Sequence, residues 1–213
     1  IFNNYNFKMA IEVKKSKNLI DYDVALKFLE KRVDDVINGE KPELLWILEH
    51  RPIFTAGTRS KENEILNKTI NVSKTSRGGK ITYHGPGQKV VYFVLNLNKR
   101  GKDIRKLIKH IENCIINILK DYGIKSFNDK KNIGIWVNVN GNAKKVASIG
   151  IRVKRWIAFH GFSINITNDL KVYKNIVACG LYGKGITNLS SVKKNNYKDI
   201  NQKIINNFLR VFK

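Results

Sequence analysis

The sequence predicts a single α/β domain with a mixed central sheet and flanking helices. A chain of 213 residues is long enough to bury the core of one such domain. Short apolar runs of strand length are interspersed with longer segments whose apolar residues recur at helical spacing. No internal repeat or linker divides the chain. We expect the domain to occupy residues 21–213, and residues 1–20 to hold an N-terminal extension and a first strand.

The N-terminal segment does not have the pattern of a secretory signal. It lacks both an apolar central region and a cleavage site with small residues. Met9 is the chain's only methionine. We therefore expect residues 1–8 to lie upstream of the natural start or to belong to a longer precursor.

Three helices are predicted from stripes of apolar residues, at 21–38, 103–122 and 197–212. Cys114 lies on the apolar stripe of the second helix, so we interpret it as a small buried side chain.

The predicted strands are rich in β-branched and aromatic residues, and they cover residues 44–48, 90–95, 133–139, 145–153 and 156–166. The dipeptide Asn140-Gly141 predicts a tight hairpin between two of them. Residues 58–76 are polar and are predicted to form a surface connection. Small residues recur in the last two strands, either to permit a sheet crossing or to leave room for a ligand. The repetition favours a pocket lined by Ala147, Ser148, Gly150, Gly161 and Ser163.

The charge of the chain is strongly positive. The sequence has 40 Lys+Arg and 17 Asp+Glu, a formal net charge of +23. Such a charge attracts polyanions or acidic proteins, although abundant solvated lysines and AT-rich codon usage would also produce it. Because the basic residues are spread along the chain, we favour an acidic protein partner and expect no nucleic acid.

Membrane and metal sites are not expected. No apolar run approaches the ~18–20 residues of a membrane span. Cys114 and Cys179 are interpreted as thiols of a cytoplasmic protein. Together with the 4 histidines, they lack the spacing of zinc ligands.

The stretch RGGKITYHGPGQ at residues 77–88 combines four glycines with several side chains that can bind a ligand or take part in catalysis. Its first two glycines can expose backbone amides to a ligand, and Gly85-Pro86-Gly87 predicts a rigid bend into the next strand. An ordinary glycine-rich hairpin loop is the alternative interpretation. A turn alone, however, does not require the arginine, threonine, tyrosine and histidine that this stretch contains. A second polar cluster, Glu49-His50, ends the strand at 44–48, where His50 is expected to anchor a loop.

Cys179 has the sequence context of a nucleophile on a turn, because it follows the short apolar run Ile176-Val177-Ala178 and precedes Gly180. A thiol needs a lowered pKa to attack at neutral pH, and a histidine, a helix N-terminus or a cation can lower it. Lysine is the abundant candidate, and spacing alone does not separate Lys145 from the other lysines.

At this point the residues resemble a known family. Arg77-Gly78-Gly79 followed by TYHGPGQ at 82–88 is similar to the signature of the lipoyl(octanoyl)transferases. The resemblance extends over nearly the whole chain from about Tyr22 and includes Glu49-His50, Lys144-Lys145, Ser148-Ile149-Gly150, Phe159-His160-Gly161 and Cys179-Gly180. It departs at Ala178, where many members have proline, and at Asn188, where serine is common.

The resemblance implies a fold and a set of site residues. The fold would be related to the catalytic domains of biotin and lipoate protein ligases, a mixed sheet with helices on one side. The catalytic pair would be a cysteine–lysine dyad at Cys179 and Lys145. The substrate-binding residues would be Arg77, Gly78, Gly79, Lys80, Ile81, Thr82, Tyr83, His84, Ser148, Ile149, Gly150, Gly161, Phe162 and Ser163.

The resemblance also implies an activity, the first step of endogenous protein lipoylation. An octanoyl group would pass from octanoyl-acyl carrier protein, through a thioester on Cys179, to a lysine of a lipoyl domain. The implied partners are the acidic acyl carrier protein and the lipoyl domains of 2-oxoacid dehydrogenases and the glycine cleavage H protein. No cofactor is expected beyond the phosphopantetheine on the donor. The implied location is the bacterial cytoplasm, or an organelle in a eukaryote.

Three alternatives stay open on the sequence. An ATP-dependent lipoate or biotin protein ligase would share the fold, but it would leave the thiol–lysine pair unused. A nucleic-acid-binding domain is suggested by the charge alone. An inactive scaffold would not account for both members of the dyad.

Overall fold

The structure is a computed structural model that describes residues 11–180 and 185–212, with Cys179 described for its backbone alone. The strands are β1 (Ile11–Lys15), β2 (Glu43–Leu48), β3 (Ile53–Ala56), β4 (Val72–Lys74), β5 (Thr82–His84), β6 (Gln88–Asn96), β7 (Ser126–Asn128), β8 (Ile135–Val139), β9 (Asn142–Lys154) and β10 (Ile157–Asn165). The α-helices are α1 (Tyr22–Ile37), α2 (Ile104–Lys120), α3 (Leu189–Val192) and α4 (Ile200–Phe212). Short 3₁₀ turns lie at Glu62–Glu64, Leu97–Arg100, Lys171–Asn175 and Ala178–Gly180.

The main sheet has seven strands in the order β1-β2-β6-β10-β9-β8-β7. β1 and β2 are parallel, and the other neighbours in this sheet are antiparallel. The predicted mixed sheet in a single α/β domain is therefore confirmed. A separate three-stranded sheet, in the order β4-β3-β5, carries the glycine-rich segment at one end.

The two faces of the main sheet bury different helices. Alternate residues of a strand point to opposite faces, and in β2 Leu45 and Ile47 pack with α2 and α4. Leu44, Trp46 and Leu48 pack with α1 on the other face. Helices thus lie on both sides of the sheet, which differs from the one-sided arrangement that the family resemblance implied.

The predicted long helices and the hairpin are confirmed within about three residues at each boundary. Asp103 caps α2 by accepting a hydrogen bond from the Lys106 amide at 2.9 Å. Cys114 is fully buried in the core beneath α2, as predicted. Burial raises the pKa of its thiol to about 12, so this cysteine is unreactive at neutral pH.

Residues 58–76 are more structured than predicted. They contain a 3₁₀ turn at Glu62–Glu64 and strand β4, and the Glu64 side chain is fully buried. The prediction of a surface connection is otherwise confirmed, since every other residue of this segment is exposed or half-buried. The sequence shows polar residues here, whereas burial of Glu64 depends on an ion pair formed in the tertiary structure.

Candidate active site

A cavity of about 300 Å³ lies on the face of the main sheet that packs against α1. Tyr22 of α1 and Val90 and Tyr92 of β6 form part of its wall. Small residues of β9 and β10 leave the space open, because Ser148 pairs with Ser163 and Gly150 pairs with Gly161. The volume is at the lower end of the range typical of small-molecule sites.

Most of the predicted site residues line this cavity: Arg77, Gly79, Lys80, Thr82, His84, Lys145, Ser148, Ile149, Gly150, Gly161, Phe162 and Ser163. Three of the predicted residues do not line it. The amide of Gly78 donates to the Ile151 carbonyl at 3.3 Å, and Ile81 is fully buried in a small apolar cluster with Ile176 and Ala178. Tyr83 packs against Phe54 and Tyr173.

Arg77 holds the glycine-rich loop in shape. Its guanidinium donates to the carbonyls of Gly78 at 3.1 Å and Lys80 at 2.9 Å. It also donates to the carbonyl and hydroxyl of Thr55 at 2.8 and 2.7 Å. The planar arrangement of its donors allows one side chain to bind several acceptors. Arg77 therefore connects the loop to β3 while one side of it faces the cavity.

Lys145 also lines the cavity, and it is buried, with only 3% of its surface exposed. Its Nζ donates to the carbonyl of Ile133 at 2.9 Å and lies 5.0 Å from the centre of the Trp136 ring. Its backbone amide donates to the Gly185 carbonyl at 3.0 Å, and its carbonyl accepts from the Thr187 amide at 2.9 Å. The segment that follows the cysteine turn is thus paired with the strand that carries Lys145.

The cysteine lies in the 3₁₀ turn Ala178–Gly180. Before the turn, the Val177 amide donates to the Glu64 carbonyl at 2.7 Å. Within it, the Gly180 amide donates to the Val177 carbonyl at 2.9 Å. Gly180 lines the same cavity as Lys145. The predicted contact between the Cys179 and Lys145 side chains lies outside the described residues.

Lys80 connects the glycine-rich loop to this turn. Its Nζ forms an ion pair of 2.5 Å with Glu64, the same residue whose carbonyl holds Val177. The Lys80 side chain also lies against Gly180, where an added Cβ would overlap with its Nζ. Gly180 has a φ of +66°, in the left-handed region that favours glycine. The absence of a side chain also allows Lys80 to approach closely.

The cavity wall is strongly basic. Arg59, Arg77, Lys80, Lys131 and Lys145 line it, and no Asp or Glu does so among the residues that the structure describes. Cations near a thiol or a developing oxyanion favour the charged form. The wall is therefore suited to negative charge on a reacting group.

A buried cluster of histidine and tyrosine side chains forms the remaining wall of the cavity. Most members of this cluster were not among the site residues predicted from the sequence. His84, Tyr22, Tyr92 and His160 line the cavity. His50 lies behind them; its Nδ1 donates to the Ile20 carbonyl at 2.8 Å, so its Nε2 accepts from the Tyr92 hydroxyl at 2.8 Å. The predicted loop-anchoring role of His50 is thus confirmed. The only sequence signal for His160 was its place in the family motif.

All three of these histidines are neutral at neutral pH. Burial lowers the pKa of His50 to about 4. Burial, assisted by nearby positive charge, lowers the pKa of His84 and His160 to about 3. His84 donates from Nδ1 to the amide oxygen of Gln88 at 2.6 Å, which fixes its tautomer.

Two negative results apply to residues 11–180 and 185–212. This part of the chain has no group of three or more His, Cys, Asp or Glu side chains placed to bind a metal ion. It also has no helix long and apolar enough to cross a membrane.

Comparison with known proteins gives consistent matches. The sequence profile of the lipoyl protein ligase A/B catalytic domain matches residues 21–209. An octanoyltransferase of Anaplasma phagocytophilum is 40% identical over 207 residues, which cover 96% of this chain and 100% of that protein. One of Rickettsia prowazekii is 46% identical over 180 residues, covering 83% and 86%. Among solved structures, a bipartite lipoate protein ligase of Thermoplasma acidophilum superposes with a TM-score of 0.69 at 12% identity, covering 95% of this chain and 84% of that one.

Proposed function

Because the chain belongs to the lipoyl protein ligase A/B catalytic domain family, we propose that it is an octanoyltransferase of protein lipoylation that works through a cysteine–lysine dyad. The relatives at 40% and 46% identity carry that activity in their names. The solved ligase is too distant in sequence to argue for more than the fold.

One observation carries the dyad proposal. Gly180, which follows Cys179 directly, lines the same basic cavity as the buried Lys145. The turn is also anchored on both sides, to Glu64 before it and to Lys145 after it. A nucleophile on this turn would therefore lie at the edge of a cavity that contains a lysine ammonium.

The reaction would proceed in two transfers. The Cys179 thiolate attacks the carbonyl of the octanoyl thioester, and the thiol of the phosphopantetheine arm leaves with a proton from Lys145. The acceptor lysine amine then attacks the acyl-enzyme and forms an amide, while its proton passes to Lys145 and the Cys179 thiolate is restored. Exchange between two thioesters followed by amide formation needs no ATP.

Oxyanion stabilisation would come from the glycine-rich segment. The Gly180 amide already donates within its own turn at 2.9 Å. The Gly78 amide is likewise used, by the Ile151 carbonyl, so the amides of Gly79 and Lys80, which line the cavity, are the ones we propose. Each such donor typically lowers a reaction barrier by ~3 kcal/mol.

The protein partners follow from the activity and the charge. An acidic acyl carrier protein would deliver the octanoyl group, and lipoyl domains of 2-oxoacid dehydrogenases and the glycine cleavage H protein would accept it. The net charge of +23 would accelerate encounters with acidic partners. The cytoplasmic location stays a prediction.

The test separates this enzyme from an ATP-dependent ligase. A purified lipoyl domain is incubated with the protein and octanoyl-acyl carrier protein without nucleotide, and in parallel with free octanoate and ATP. We expect the lipoyl domain to gain an octanoyl group only in the first reaction. Modification only in the second would replace the proposal with a ligase.

A further inference from the structure

Two hairpins of the main sheet are closed by turns of the same type. The β8–β9 loop is Asn140-Gly141, with φ values of +50° and +80°, and the β9–β10 loop is Arg155-Trp156, with +48° and +63°. Positive φ at both loop residues defines the type I′ turn, which favours Asn-Gly because bulky side chains are strained there. The second turn therefore carries an arginine and a tryptophan where smaller residues would be more stable.

The turn does not need the Trp156 indole in order to fold. The Leu97 amide donates to the Trp156 carbonyl at 2.8 Å, a bond that the carbonyl of any residue could accept. Trp156 is 39% exposed, whereas Trp46 and Trp136 are 3% and 1% exposed. Strained backbone conformations cluster at functional sites. The exposed indole on a strained turn thus indicates a role outside folding.

Exposed cations surround this indole. The Lys102 Nζ lies 5.9 Å from the centre of the Trp156 ring, and Lys102 itself has a φ of +52°. Residues 97–106 contain five Lys or Arg and one Asp, and the carboxylate of that Asp103 caps α2. Ile104 of the same segment is 39% exposed. We define the Trp156 patch as the exposed residues Lys99, Lys102, Ile104, Arg105, Arg155 and Trp156.

The Trp156 patch lies away from the reacting groups of the proposed function. Lys154, which precedes the turn, is nine residues from Lys145 along β9, which corresponds to roughly 30 Å of strand. A partner bound at the patch would therefore leave the cavity near Lys145 accessible.

The composition of the patch identifies its partner. Lysine and arginine attract anionic head groups, and a tryptophan indole favours the boundary between head groups and acyl chains. Ile104 adds apolar area that a bilayer can bury. A nucleic acid, which binds through phosphate contacts and base stacking, has no use for the isoleucine. We propose that the Trp156 patch binds the surface of an anionic phospholipid bilayer.

Co-sedimentation with vesicles tests the proposal. Vesicles of phosphatidylcholine with phosphatidylglycerol should bind the protein, vesicles of phosphatidylcholine alone should not, and binding should weaken as salt is raised. Arg155→Asn combined with Trp156→Gly copies the Asn140-Gly141 turn. This turn variant should be at least as stable as the wild type in urea unfolding. It should bind the anionic vesicles at least about tenfold more weakly, because it loses a cation and the indole.

A matched pair of variants separates the patch from the net charge. Lys102→Asn combined with Arg105→Gln should weaken binding about thirtyfold, and asparagine tolerates the left-handed conformation at residue 102. Lys194→Gln combined with Lys198→Gln removes the same charge from exposed lysines outside the patch, and its effect should be much smaller. Equal losses for the two pairs would show that net charge alone drives binding and would overturn the inference.

Tryptophan emission locates the contact. Because Trp46 and Trp136 are buried, a blue shift on addition of anionic vesicles would come from Trp156, and it should be absent from the turn variant. Vesicle binding without this shift would overturn the inference. Tighter binding to a DNA duplex than to vesicles at the same salt, through the same residues, would replace the bilayer with a nucleic acid.

Octanoyl transfer provides the last control. Without vesicles, the turn variant should transfer octanoyl to a lipoyl domain at the wild-type rate, since its changes lie outside the cavity. A slower rate would assign the patch to a protein substrate and overturn the bilayer proposal. Failure of the wild type to transfer octanoyl would instead refute the proposed function and leave the vesicle result unaffected.

Discussion

The Nζ atom of Lys145 and the backbone carbonyl of Ile133 are joined by a hydrogen bond of 2.9 Å. This bond fixes the buried Lys145 amine at the wall of the cavity. The next residue, Gly134, packs against the lysine side chain, because an added Cβ would lie 3.1 Å from Lys145 Cε. The position of the lysine thus depends on a neighbour without a side chain.

Gly134→Ala should displace Lys145 and slow octanoyl transfer. The new Cβ would also lie 2.6 Å from the Ala147 carbonyl, and the φ of +134° is unfavourable for alanine. A small misplacement of a reacting group can reduce a rate on the order of tenfold to a hundredfold. Gly141→Ala is the matched control, since its φ is +80° and no atom lies within 4 Å of the added Cβ. Equal transfer rates for the two variants, measured with a lipoyl domain, would contradict this role of Gly134.

Glu64→Gln should weaken the attachment of the cysteine turn. The Glu64 carboxylate is buried, but the Lys80 side chain is 32% exposed, which reduces the value of their ion pair. We expect the free energy of unfolding to fall by about 1–2 kcal/mol. Hydrogen exchange at the Val177 amide should become faster, because that amide is bound to Glu64.

Asp34→Asn is the control for this prediction. The Lys154–Asp34 pair is about half exposed on both sides, so its loss should change the free energy of unfolding by less than about 1 kcal/mol. Urea unfolding of the two variants makes the comparison. If Glu64→Gln is no more destabilising than Asp34→Asn, the ion pair does not hold the turn.

Stability should decrease as the pH falls from 7 to 5. The folded protein keeps His50, His84 and His160 neutral down to a pKa of about 4 or 3, whereas histidines of the unfolded chain bind protons near pH 6.5. The unfolded state therefore binds more protons in this window, and the stability present above pH 6.5 is lost toward pH 4. Each histidine contributes up to about 1.4 kcal/mol per pH unit.

Urea midpoints at pH 7, 6 and 5 check this prediction. Ordinary carboxyl groups titrate below this window, with pKa values near 4. A decline in stability between pH 7 and 5 would therefore report the histidines. A constant midpoint over this range would show that the cluster does not remain neutral in the folded protein.

Much of the fold could be predicted from the sequence, because its long helices and its hairpin have strong local signals. The stripe over α2 and the Asn140-Gly141 turn are examples. The short strands β3, β4 and β7 were not predicted, since three or four residues carry little periodicity. The position of α1 on the opposite face of the sheet depends on chain connectivity, which no local pattern shows.

The site was predictable where its residues belong to a long motif. Most of the residues named from the family resemblance line the cavity, including Lys145 and Ser148. Tyr22 and Tyr92 were missed because each lies on an ordinary helix or strand and reaches the site only through packing. The left-handed conformation of His160 has no sequence signal, since its position within the strand predicts regular backbone.

The most direct measurement of the central claim is the intact mass of the protein after incubation with octanoyl-acyl carrier protein. The wild type and Cys114→Ser should each gain one octanoyl group, because Cys114 is buried with its pKa raised to about 12. Cys179→Ser should gain none. An octanoyl adduct on Cys179→Ser, or undiminished transfer by it, would contradict a cysteine acyl-enzyme.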